Sequence, residues 1–274
     1  MISYILSDRA LGALPRAKPY GKAGGKPMAF VAPADEWASR AGLGRKTVKP
    51  HCGPIKRQRF NDCTCNMIAS LVETVRSQIG LPFVELSATA VYNHVNGGRD
   101  AGSNLQDAAD YVAKVGCVPV SMWPVTVWRM AEPAGYKDMA AKFRGLEWID
   151  VPNAAGVITG IGWYGKPVGI GVQWGWGGHA VTAVNYGFRA AVPKEHLDAY
   201  AELVKHFERV DRELAEACGA ALDGDQVWFE IENSWGTDYG ENGYGWLPWS
   251  QVDAGVRNRH GGICVASVTF TDRP

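Results

Sequence analysis

An α+β fold, helices first and an antiparallel sheet second, is what this sequence predicts, and three observations predict it. Apolar residues in the first half recur at helical spacing between N-cap and glycine stop signals. The second half turns to apolar runs and alternations such as "KPVGIGVQW", "GGHAVTAVNYG" and "QVWFEIENSWG", which read as buried strands. The 33 glycines and 11 tryptophans suit tight turns and an aromatic-lined surface rather than disorder.

Taken in order, residues 1–50 are rich in Gly, Pro, Ala and basic side chains, with one short helical candidate, "ADEWASRAG". They read as an extension that wraps a domain, or as a docking or inhibitory arm. The stretch "RQRFNDCTCNMIASLVETVRSQIG" then organises the chain. Met67, Ile68, Leu71, Val72 and Val75 form a helical face, Glu73 and Arg76 lie on the polar side, and Gly80 with Pro82 closes the helix. Cys63 falls at the N-terminus of that helix. The next helix opens at Ser87, and a further one opens at Ser103 with Leu105, Ala108, Ala109, Val112 and Val115 on its apolar face. A short helix is predicted in "GVITGIGWYG", one or two inserted helices over about 190–222, and a last strand in "GGICVASVTFT".

Bulk composition excludes some classes. Lys plus Arg and Asp plus Glu are both 28, so no net field draws nucleic acid or an anionic membrane. Neither a secretory signal nor an apolar stretch of membrane-spanning length is evident, so a cytoplasmic setting or a place in a virion or other assembly is expected. The six cysteines form no CxxC pair. His51, Cys52, Cys63 and Cys65 lack structural zinc spacing, so no metal and no cofactor is expected.

Thiol chemistry needs a thiolate, a base to pair with it, a group to orient that base, and donors for an oxyanion. A helix N-terminus favours the thiolate of Cys63, although most cysteines at the start of a core helix are inert hydrophobes. His179, preceded by glycines at the start of a strand, is a candidate base. Asn233 could orient it through an amide oxygen, with the Trp235 indole covering that bond. Gln58 could add a side-chain N–H beside the backbone N–H of Cys63. Cys65 is an alternative nucleophile, and Asp62 should raise the pKa of a neighbouring thiol.

With these flanks, the order Gln, Cys, His, Asn resembles the papain-like cysteine peptidase family. "GGHAVTAVNYG" and "IENSWGTDYGENGYGW" are similar to its His and Asn motifs, "DCTCNMIASLVET" to its Cys helix in divergent microbial and viral members, and "GSNLQDAADYVAKVGCV" to the region before its second lobe. The resemblance covers about residues 50–250. It implies a two-lobed fold in 51–274, with a helical left lobe over about 51–125 and a β-barrel-like right lobe over about 126–274. It also implies Cys63 as nucleophile, His179 as base and acid, Asn233 as orienter and Gln58 as oxyanion donor. Asn61-Asp62 and Thr64 stand where the family has Gly-Ser and an aromatic, and Gln58 is one residue closer to the cysteine than usual. The segment before His179 is short, which implies an open, Trp-lined cleft. The segment between His179 and Asn233 is long, which implies inserted helices projecting from the right lobe.

The function expected is hydrolysis of peptide bonds in a protein or peptide through an acyl-enzyme. Two alternatives stand beside it: a catalytically weak or inactive papain-like scaffold docking onto a partner through residues 1–50 or 190–222, and a cell-wall peptide amidase.

Overall fold

The computed structural model describes residues 2–5, 11–22, 24–175 and 177–269. The arm contributes β1 (Lys26–Pro27), a 3-10 turn leading into α1 (Trp37–Arg40), and α2 (Gly44–Thr47). A long helix α3 (Cys63–Gln78) follows, then α4 (Ala88–Val95), α5 (Leu105–Lys114) and α6 (Tyr136–Ala141). Beyond them come β2 (Glu147–Val151), α7 (Ala154–Gly162), β3 (Val168–Trp174) and β4 (Gly177–Phe188). The predicted insertion is the helix pair α8 (Lys194–Phe207) and α9 (Arg212–Gly224). The chain continues through β5 (Val227–Glu232), β6 (Tyr244–Pro248), α10 (Trp249–Ala254) and β7 (Gly262–Ser267). The strands form one sheet in the order β1-β2-β7-β3-β4-β5-β6, antiparallel except for β1 beside β2. Helices first and an antiparallel sheet second is the α+β architecture read from the sequence.

Helix α3 is buried from Cys63 to Arg76, because it lies between the sheet on one side and α4 and α5 on the other. Its apolar residues join Leu105, Ala108, Val112, Ile263 and Val265 in the left-lobe core. Glu73 and Arg76, expected on a polar side, are also buried: the Glu73 carboxylate accepts from Lys56 Nζ at 2.7 Å, and the Arg76 guanidinium lies over Phe143. The helix stops where expected, with Gly80 at φ +78, a backbone setting that costs glycine little. The second core fills the right lobe, where α7, α8 and α10 cover the sheet with Ile158, Tyr200, Phe207 and Val252.

Three sequence expectations are corrected. Ser103 does not cap α5; Asn104 does, its side chain accepting from Asp107 N–H at 2.8 Å, while the Ser103 hydroxyl pairs with Thr64 and its backbone holds the arm. The inserted helices do not project: they lie against β6 and α10, burying Tyr200, Leu203 and Phe207, and Tyr200 donates to Gln251 at 2.8 Å. Alternating apolar positions in both helices need a wall to cover them, and α10 with β6 supplies it. Nor is the cleft open, as the site itself shows. Among the described residues no helix is long and apolar enough to cross a membrane.

Candidate active site

Cys63 is the first residue of α3 and His179 the third of β4, so the contact between α3 and β4 brings the two segments together. The backbone N–H of Ala180, next to His179, lies within hydrogen-bonding reach of the Cys63 thiol. Asn233 follows the last residue of β5, its own N–H held by Gly243 O at 2.9 Å. His179 Nε2–H donates to Asn233 Oδ1 at 2.9 Å. An amide oxygen only accepts, so the ring hydrogen sits on Nε2 and Nδ1 keeps its lone pair. That Nδ1 is buried with no hydrogen-bond partner among the described residues. Trp235 stacks on the imidazole with centroids 4.4 Å apart and 24° between planes, and Trp174 meets the ring edge-on at 5.6 Å. Indoles on two sides keep water off the His–Asn bond.

Cys63 has no exposed surface, and the arm runs close by, against Asn61. Gly12 and Ala13 N–H both donate to Gly178 O, at 3.1 and 3.0 Å. On the other side Ser103 N–H donates to Gly12 O at 2.8 Å and Leu14 N–H to Ser103 O at 3.0 Å. The chain therefore links the left-lobe Ser103 and the right-lobe Gly178 through main-chain hydrogen bonds, with a single parallel bridge between Ala13 and Ser103. Gly12 presses on Asn61, two residues before Cys63: a Cβ there would stand 2.0 Å from Asn61 O. Farther along, His260 Nδ1–H donates to Leu14 O at 3.2 Å, and Arg16 grips the buried Asp150 carboxylate with two bonds of 2.9 and 3.0 Å. At the other end Tyr4 is buried, its hydroxyl 2.7 Å from His196 Nδ1 and its ring stacked on Tyr239.

Burial sets the electrostatics. It pushes the Cys63 thiol up to about 12 and lowers His179 to about 4, which favours the neutral form of each. Asp62 raises the thiol further, as its position predicts, and is itself pushed up to about 7 by burial.

Solved structures with the same architecture include digestive procathepsin L 3 of Tenebrio molitor larval midgut. Its TM-score is 0.56 at 14% identity, covering 94% of this chain and 76% of that one. A recombinant stem bromelain precursor gives a TM-score of 0.60 at 15% identity, with 91% and 78% covered. Xylellain, a cysteine protease from Xylella fastidiosa, gives 0.54 at 17% identity, with 93% and 98% covered. The fold is papain-like. Neither a protein-family model nor a curated protein matches the chain.

Within this papain-like frame the remaining sequence candidates fall in distinct places. Gln58 is 6% exposed; its Nε2–H donates to Phe60 O at 3.1 Å, and its Oε1 accepts from Ser234 Oγ at 2.6 Å. Cys65 turns away toward Ser103, with 3.8 Å between Sγ and Oγ. Among the described residues no group of three or more His, Cys, Asp or Glu side chains is placed to hold a metal ion. The sequence marks residues 1–50 as a docking or inhibitory arm and Ser103 as a cap, but not that Gly12–Leu14 binds Ser103 and Gly178, because those contacts run through the main chain and leave no side-chain signature. Glycine at 12 and 178, where a Cβ would strike backbone atoms, was the one local signal.

Proposed function

We propose that this chain is a cysteine peptidase held in a latent state by its own N-terminal arm. In the opened protein the Cys63 thiol passes its proton to His179 Nδ1, and the thiolate attacks the carbonyl carbon of a peptide bond. His179 then gives that proton to the leaving amine, and water, deprotonated by the same nitrogen, releases the acyl group from sulfur. The observation that carries this reading is the His179–Asn233 bond beneath the Trp235 stack, set beside a cysteine at the tip of the central helix. In the closed chain burial disfavours both the thiolate and the imidazolium, which opposes the first proton transfer. Displacing the arm rehydrates both groups and returns them toward their ordinary ranges.

The test compares the full chain with a Gly12→Val variant, whose side chain has no room against Asn61. An epoxysuccinyl thiol-protease probe should label Cys63 in the variant and leave the closed chain untouched, with labelling lost in His179→Ala. A scaffold without turnover is the competing reading, favoured by the wholly buried thiol and by the Gln58 amide engaged with Phe60 O. It predicts no labelling in either protein. Casein against purified peptidoglycan separates a peptidase from a cell-wall amidase.

A further inference from the structure

The interface between the lobes holds a carboxyl group that the proposed chemistry does not use. Glu232 ends β5 and is the chain neighbour of Asn233; it is 6% exposed, and its Oε2 has no hydrogen-bond partner among the described residues. Glu230, two residues back on the same strand, makes the contrast: Lys49 and Arg45 hold it at 2.6 and 3.0 Å and keep it below the usual carboxylate range. Around Glu232 stand Ser70 and Glu73 of α3, Lys56, Cys52, and Tyr244 across the ladder on β6. Lys56 is the cation of that group, and its ammonium donates to Glu73, which also accepts from Leu86 N–H at 2.6 Å. Two buried carboxyl groups thus share one ammonium that is bonded to the other. Burial, reinforced by Glu73, pushes Glu232 up to about 7.

Beside it lies a void of about 10 Å³ lined by Asn66, Ser70, Thr182, Glu232 and Asn233. That is close to the least space that admits one water molecule. The void lies between α3, the start of β4 and the end of β5, so water entering it would push Asn233 away from the helix that begins with Cys63.

We propose that Glu232 is a positioning residue for the His179–Asn233 pair: as a neutral acid it keeps α3 and the end of β5 closed together, and its ionisation draws water into the void and loosens the pair. The physical reason is that Ser70 and Cys52 are the carboxyl group's only hydrogen-bonding neighbours among the described residues and Oε2 has none, so the ionised group calls for water, and the adjoining space is the nearest place for it. The inference rests on reading His179 and Asn233 as the working pair, but its test does not depend on turnover.

The test follows the ring nitrogens of His179 by NMR in histidine-labelled full chain, with assignment by loss of the signal in His179→Gln. In an Asp62→Asn background, which removes the other carboxyl group pushed up to about 7, the His179 signal should show an inflection near pH 7, and adding the isosteric Glu232→Gln should flatten it over the same range. A flat signal in Asp62→Asn, or an inflection that survives in Asp62→Asn with Glu232→Gln, overturns the proposal. A purely structural Glu232 would move the melting temperature while leaving the His179 signal flat. Should the Gly12→Val chain fail to label while the inflection holds, the peptidase reading falls and the positioning role of Glu232 stands.

Discussion

His179 meets Asn233 through the nitrogen that carries hydrogen, leaving the other nitrogen free for a thiol proton. In the opened protein His179→Ala should cost about 10²–10⁴-fold in kcat, the usual contribution of a general acid–base. Asn233→Ala should cost less, because the imidazole stays while its tautomer and orientation loosen; peptide hydrolysis rates check both. Asp62 offers a pH experiment with a definite sign. Its folded pKa, about 7, lies above the ordinary carboxylate value, so the folded chain binds the proton more tightly than the unfolded one. That stability is fully present below about pH 4 and is lost as pH rises to about 7. In Asp62→Asn the loss disappears: its stability relative to wild type should climb by up to about 4 kcal/mol across that window and stay level above it. Urea unfolding at a series of pH values reads this directly.

Among the elements, the arm is where structure and regulation meet. Its hold is four main-chain bonds to Gly178 and Ser103, reinforced by Arg16 on Asp150 and His260 on Leu14 O. Main-chain bonds tolerate most side chains but leave no room for a Cβ at Gly12. The Gly12→Val substitution should therefore raise the labelling rate of Cys63 at least about tenfold, the equivalent of about 1.4 kcal/mol of lost docking. Mass spectrometry of the labelled peptide identifies the residue. The inserted helices α8 and α9 bury apolar side chains against α10 and β6. Phe207 also packs on Gly175 in the β3–β4 turn, so the insertion props the turn that leads to His179.

On the scale of the whole molecule, the two larger cores meet along α3, and the polar stripe of that helix faces the seam. Lys56 and Glu73 sit there, with side chains 6% and 2% exposed. Removing one member of a buried pair strands the other charge, so Lys56→Met should destabilise the chain by about 3–5 kcal/mol. Replacing both by apolar residues should restore much of that loss. Equilibrium denaturation of the single and double variants checks it.

Much of this protein was legible as sequence. The α+β class, the extent of α3, the caps at Ser87 and Gly80, and the strands around His179 and Asn233 follow from spacing, turn residues and apolar periodicity, which act over a few neighbours. The motif order was enough to nominate Cys63, His179 and Asn233, because the chemistry dictates residue types. Nothing local could say that Ser103 binds the arm instead of capping α5, or that the Glu73 face of α3 is buried. Each depends on segments far apart in the chain, and a serine or a glutamate looks the same beside solvent or beside a second lobe. The arm is the clearest case: residues 1–50 read as an arm from composition, but the main-chain bonds from Gly12–Leu14 to Ser103 and Gly178 carry no residue code, so where it crosses the lobes is decided by the fold.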